Sequence, residues 1–239
     1  MPETASIDAT VMDDHPTWGA CVFLEGSGEA EAIRGEYARL ADRWPPLHFA
    51  IVEEPTPETL DPWYRLGFAQ MHAYGMRESG GERISAPGIE IRLGGPGDLE
   101  TALAIDRLIH ESQAASPSFS AEPLDEEQRR SDWIETLSAD DVRYFVAVRD
   151  DEPVGHLTLY DDPHDDEALH IASTAVLTAS RDRGVGLALT THALALAAES
   201  GHPRVWTNWR VTNLVASRYW PARGFRLARL RLVRRLPEL

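Results

Sequence analysis

Hydrophobic and polar positions along the chain switch between the two-residue period of strands and the longer period of helices, and the switches fall at turn residues. The pattern predicts a strand over residues 89–93 and helices over 96–111 and 125–137. Strands are predicted over 142–149, 153–160 and 168–177, the first two joined by Asp150-Asp151-Glu152, a hairpin-length polar connection. A helix over 184–200, a strand over 204–208, a helix over 213–222 and a strand pair over 225–235 complete this half. Antiparallel hairpins are thus mixed with strand-helix-strand crossovers, which predicts an α/β fold with one mixed sheet and helices on its faces.

Residues 20–77 repeat the end of that pattern: strand 20–25, helix 29–44, strand 48–54, helix 58–66 and strand 69–77. Pro46 precedes Trp63, Gly67 and Phe68 by the same distances that separate Pro203 from Trp220, Gly224 and Phe225. Two copies of one helix-to-strand corner are therefore expected. Between the halves, 77–88 (RESGGERISAPG) has the composition of a connector. The expected organisation is a partial N-terminal copy over 1–79, a linker over 80–88 and a complete domain over 89–239.

Composition narrows the class. A hydrophobic content of 43% suits a folded globular chain, and no apolar run reaches the ~18 residues of a membrane span. The start of the chain carries acids and no basic residue ahead of an apolar core, unlike a secretory leader, so a cytoplasmic protein is expected. Cys21 is the sole cysteine, which excludes an internal disulfide and a multi-cysteine metal site; no metal is expected. The net charge is -16 and every basic side chain is Arg. Such a surface repels nucleic acid and anionic membranes, whereas an acidic cleft attracts cationic amines or basic peptides.

Candidate chemistry centres on Arg183-Gly184-Val185-Gly186-Leu187-Ala188, between a β-branched strand and a long helix. The glycines let the backbone turn and approach a ligand, and the N–H groups from Gly184 to Ala188 are expected to form an anion nest at the helix start, with Arg183 adding charge. A dinucleotide fingerprint fails, because Leu189 stands at the third glycine and no acid follows about 20 residues on. A nucleotide P-loop fails for want of lysine.

The sequence resembles the GNAT superfamily of N-acetyltransferases at two motifs. Arg183, Gly186 and Ala188 match R-x-x-G-x-[GA], and Asn213, Ala216, Trp220, Gly224 and Phe225 match N-x-x-A-x-x-x-[YW]-x-x-x-G-F. The resemblance covers about 88–239, with a remnant of the same fold over 20–77. It implies a GNAT-like fold whose central strands splay to admit acetyl-coenzyme A. The implied cofactor contacts are Thr174, Ala175, Val176, Arg181, Arg183, Gly184, Val185, Gly186, Leu187, Ala188, Asn208, Asn213 and Trp220. The implied reaction is transfer of acetyl from acetyl-coenzyme A to a primary amine of a small molecule or peptide, by direct attack in a ternary complex. A non-catalytic acyl-coenzyme A sensor is the alternative, and monomer and homodimer both remain open. In the N-terminal copy Glu29 and Glu31 fall where Gly186 and Ala188 stand, so that half is expected to bind no coenzyme A.

Trp220 occupies the position at which the family carries a proton-donating tyrosine, and an indole N–H is not an acid at usable pH. The catalytic candidates are Tyr219, the neighbouring phenol; Glu111, at the end of a helix that lines the acceptor pocket in similar folds; and His170. Strand alternation places His170 on one face with Ala172, Thr174 and Val176. Asp161, Asp162, Asp165, Asp166 and Glu167 read as a solvated hairpin tip, or as a selector for a cationic acceptor if that tip folds over the cleft.

Overall fold

The computed structural model describes residues 5–120 and 124–237; positions 1 and 239, the outer limits of the expected domains, lie outside the described residues. The elements in chain order are β1 (Ser6–His15), β2 (Gly19–Ser27), α1 (Ala30–Leu40), β3 (Leu47–Glu53), α2 (Pro57–Arg65), β4 (Ala69–Glu78), β5 (Glu90–Leu93) and α3 (Leu99–Ala114). They continue with α4 (Glu126–Ser138), β6 (Arg143–Arg149), β7 (Glu152–Asp161), β8 (Ala168–Val176), α5 (Val185–Glu199), β9 (Arg204–Arg210), α6 (Leu214–Ala222) and β10 (Arg226–Arg235). The chain divides into two units: residues up to Tyr74 with those from Leu227 onward, and Gly75–Arg226.

In the first unit β1 pairs antiparallel with β2, β2 pairs parallel with β3, and β10 pairs antiparallel with β3. β1 has no counterpart in the sequence reading, because Asp8, Asp13 and Asp14 obscure the weak alternation of Ile7, Ala9 and Val11; register with β2 is what makes it a strand. The expected strand pair over 225–235 is corrected to the single strand β10, which no Gly, Pro or Asn interrupts. Its residues Arg229–Arg235 lie against Glu53–Leu47.

The two predicted corners are the same structure. Trp63 and Phe68 meet edge to face at 5.2 Å and 77°, and Trp220 and Phe225 at 5.1 Å and 76°. The Phe68 N–H donates to the Trp63 carbonyl and the Phe225 N–H to that of Trp220. Gly67 and Gly224 both have φ of 82°, a left-handed conformation that ends each helix with little strain only for glycine.

The second unit has the strand order β9-β8-β7-β6-β5, with the end of β4 beside β9. β5 to β8 form an antiparallel meander, and β8 runs parallel to β9. The expected linker over 80–88 is not a free connector, because its polar groups find partners on α5. The Gly80 N–H donates to the Leu194 carbonyl (2.8 Å), the Ile84 N–H to Thr191 Oγ1 (3.0 Å), and Arg83 makes a two-pronged pair with Glu199. The unit boundary falls before Gly75, ahead of that segment.

Helix α5 is apolar around most of its circumference, and burial of Leu189 and Leu194 stabilises its packing by roughly 1.5–3 kcal/mol each. It covers one face of β6–β8, where His192 meets Phe145 edge on. On the other face α3 and α4 pack Leu103, Trp133 and Leu137 against Tyr144 and Val146. His156 is fully buried there, its Nδ1 3.3 Å from the Tyr144 hydroxyl and its Nε2 3.2 Å from Ser173 Oγ.

Burial pushes the His156 imidazole down to about 3, so it is neutral in the fold. An unfolded histidine protonates near pH 6.5, so between there and about pH 3 the unfolded chain binds the extra proton and stability falls with falling pH. The expected contribution approaches roughly 1.4 kcal/mol per pH unit in that window. Urea unfolding at pH 7, 6 and 5 checks it: the wild type should lose stability more steeply than His156→Gln.

Candidate active site

The site begins where β8 and β9 part. Four residues, Ala168–Ile171, pair with Arg204–Thr207, after which neither strand has a partner in the other although both continue. The predicted splay is present, with its apex at Ile171 and Thr207. The ladder orients the backbone above that apex. Leu177 N–H donates to the Val154 carbonyl on β7 (2.9 Å), so by antiparallel alternation the N–H groups of Val176 and Thr174 point away from β7, into the gap. Thr174 Oγ1 donates to the His156 carbonyl (3.0 Å).

The mouth of the gap is the connection from β8 to α5. Gly184 is the N-cap of α5, with φ of 81° and no side-chain cap, whereas Thr56, Asp125 and Asn213 cap α2, α4 and α6 with their side chains. Ala188 N–H is already bonded to the Gly184 carbonyl (2.9 Å), which corrects the expected nest: its helical members are the N–H groups of Val185, Gly186 and Leu187. Val185 buries its side chain, so what it offers a ligand is limited to backbone, while Ala188, with its side chain buried and its N–H bonded, offers no donor. Arg183 is exposed, and Arg181 Nε braces the loop by donating to the Val176 carbonyl (3.2 Å). A Cβ on Gly184 would stand 3.2 Å from that of Ala86, and one on Gly186 would stand 3.1 Å from the Tyr219 hydroxyl.

The three catalytic candidates do not converge. Tyr219 packs on Gly186 and shares a 2.7 Å hydrogen bond with Thr190, on the α5 side of the sheet; burial raises its phenol above the usual range. Trp220 is 4% exposed, held edge to face between Tyr219 and Phe225. Glu111 is exposed at the end of α3. Asn213 uses its Oδ1 to cap Val215 and Ala216, and its Nδ2 lies 3.5 Å from Ser112 Oγ on α3.

The expected face of His170 also needs correction. Thr158 lies opposite Ser173 but Leu159 opposite Ile171, so Ala172 is the extra residue of a β-bulge and the alternation inverts across it. His170 shares its face with Ser173 and Ala175, while Thr174 and Val176 face the α5 side with Ile171. Strict alternation cannot register an inserted residue, so the sequence pattern missed this.

His170 is nearly buried and stacked on Tyr160 (5.2 Å, 9°). Its Nδ1 is 2.8 Å from Asp162 Oδ2 and its Nε2 is 3.0 Å from Asn208 Nδ2, so both ring nitrogens are engaged. Burial raises the Asp162 carboxyl, but hydrogen bonds from His170 and the His164 N–H outweigh it and hold the group below its usual range, ionised. Asp165 takes a two-pronged bond from Arg204 and another from Trp206 Nε1, and Asp161 pairs with Arg143. The acidic tip is thus largely spent on anchoring the connection from β7 to β8. An open concavity of about 540 Å³ between α3 and α4 shares no residue with the gap, and its walls hold the ion pairs Arg107–Glu126 and Arg130–Glu100.

A gap between parallel strands with an uncapped helix start at its mouth is the arrangement that the two motifs implied. Residues 106–225 match the family model described as acetyltransferase (GNAT) family. The chain belongs to the GNAT family. No curated protein matches the sequence. Among solved structures, a GCN5-related N-acetyltransferase from Sphaerobacter thermophilus is 15% identical, with 98% of this chain and 78% of that one covered and a TM-score of 0.57. A tandem GNAT protein from the clavulanic acid biosynthesis pathway is 12% identical, with 100% and 86% covered and a TM-score of 0.53. A functionally unknown conserved protein from Staphylococcus epidermidis is 12% identical, with 94% and 88% covered and a TM-score of 0.57. The first two of these likenesses show the GNAT fold. Among the described residues no helix is long and apolar enough to cross a membrane.

Proposed function

We propose that the second unit transfers an acetyl group from acetyl-coenzyme A to a primary amine of a small molecule or peptide, in the cytoplasm. The observation that carries this reading is the uncapped start of α5 at the mouth of the gap between β8 and β9. A pyrophosphate is a suitable ligand for the N–H groups of Val185–Leu187, with Arg183 beside them. The N–H groups of Thr174 and Val176 suit a thioester carbonyl lying in the gap, where they would stabilise the oxyanion formed when the amine attacks. As the tetrahedral adduct collapses, the carbon–sulfur bond breaks, coenzyme A leaves as the thiolate, and the amine proton passes to solvent. Positioning supplies much of the rate, since the thioester is already activated.

The first unit is built against this chemistry. Only Gly28 and Glu29 separate β2 from α1, against residues 177–184 between β8 and α5. The β2–β3 pairing runs to Glu25 and Ile51, near the ends of both strands, and Glu31 sits in the first turn of α1. We therefore assign no coenzyme A site to this unit.

A sensor without turnover is favoured by Trp220 at the proton-donor position and by the full engagement of His170. Titration calorimetry with acetyl-coenzyme A, followed by thiol release across a panel of primary amines, separates the readings. One site per chain with amine-dependent thiol release is expected. Binding without release on any amine would support the sensor, and absence of binding would overturn both.

A further inference from the structure

The apex of the gap is fastened by side chains on both faces. On the α5 side, Thr207 Oγ1 donates to the Ile171 carbonyl (3.1 Å). On the α3 side, Asn208, the first β9 residue beyond the last pair, gives its amide nitrogen to His170, and His170 is tied to Asp162. A carboxylate only accepts hydrogen bonds, so Asp162 requires the His170 proton on Nδ1. Nε2 is then an acceptor and takes the Asn208 NH2, which leaves Asn208 Oδ1 as the outward-facing end of the amide. Tyr160 stacked on the ring fixes its plane.

We infer that Asp162 and His170 are positioning residues that clasp the splay apex through Asn208, setting where the acyl-coenzyme A slot ends and which end of the Asn208 amide faces it. The inference rests on the acyltransferase reading of the slot. His170 has this role in place of that of a free base, since accepting a proton on Nε2 would require the Asn208 amide to reverse.

The test is Asp162→Asn, which keeps shape and can donate to Nδ1, driving the His170 proton to Nε2 and reversing the Asn208 amide. Nitrogen-15 NMR of the imidazoles, with His170 assigned by its loss in His170→Gln, should show the Nδ1–H tautomer in the wild type and Nε2–H in Asp162→Asn. Titration of acetyl-coenzyme A should show roughly tenfold weaker binding to Asp162→Asn and to Asn208→Ala, with the double variant no weaker than Asn208→Ala alone. Additive losses, an Nε2–H tautomer in the wild type, or unchanged affinity in Asp162→Asn would overturn the clasp. A wild type that binds no acetyl-coenzyme A would instead defeat the acyltransferase reading, and the slot role with it, whatever tautomer the spectrum shows.

Discussion

Gly186→Glu is expected to abolish measurable acetyl-coenzyme A binding, and Gly186→Gln to weaken it less. Both side chains begin at a Cβ 3.1 Å from the Tyr219 hydroxyl, so both displace the phenol or shift α5 by a few tenths of an ångström. Only glutamate also places a negative charge in the first helical turn, where the proposed pyrophosphate would lie. Like charges close together at a partly desolvated helix start repel by about 1–2 kcal/mol, a factor of roughly ten or more in affinity between the two variants. Calorimetric titration of the two variants measures that difference, and their melting temperatures report the shared steric part. Equal affinities for the two would mean that the start of α5 holds no anion.

Trp220→Ala and Trp63→Ala should each destabilise the protein by about 3–5 kcal/mol, the cost of deleting a buried indole. Trp63 is 1% exposed and touches Tyr37 and Phe68 edge on, and Trp220 touches its neighbour Tyr219 and Phe225 edge on. In Trp220→Ala the loss removes a wall from Tyr219, and hence from the helix turn at Gly186, so acetyl-coenzyme A affinity should fall along with stability. In Trp63→Ala affinity should hold at temperatures where the protein remains folded. Urea denaturation with titration on the same samples checks both. Loss of affinity in Trp63→Ala, in samples that remain folded, would contradict the assignment of the cofactor site to the second unit alone.

The duplicated corner shows how far sequence reading reaches. Three spacings from a proline placed Trp63 and Trp220, Gly67 and Gly224, Phe68 and Phe225 at equivalent positions, and the fold makes the two corners alike to about a degree in ring angle. Local signals of this kind survive because a helix end needs a left-handed residue and an apolar cap within a few positions. The glycine start of α5 was legible for the same reason, although Ala188 was wrongly counted among its free N–H groups, since the first helical bond consumes that donor.

By itself the sequence determined the period of most elements, the glycine-bearing start of α5 and the family motifs, because these depend on residues within a turn or two of one another; β1 and the single strand β10 were the exceptions. It could not register the bulge at Ala172, which exists as a mismatch between two strands and reverses the face of every residue beyond it. Nor could it join Asp162 to His170, or His170 to Asn208, 38 positions away. Those pairings, and the departure of β10 to lie beside β3, depend on which strands become neighbours, and neighbours are chosen by burial summed over the whole sheet. The tertiary structure thereby decided that the most prominent histidine is a tethered group where β8 and β9 part, and that Tyr219 packs against the start of α5.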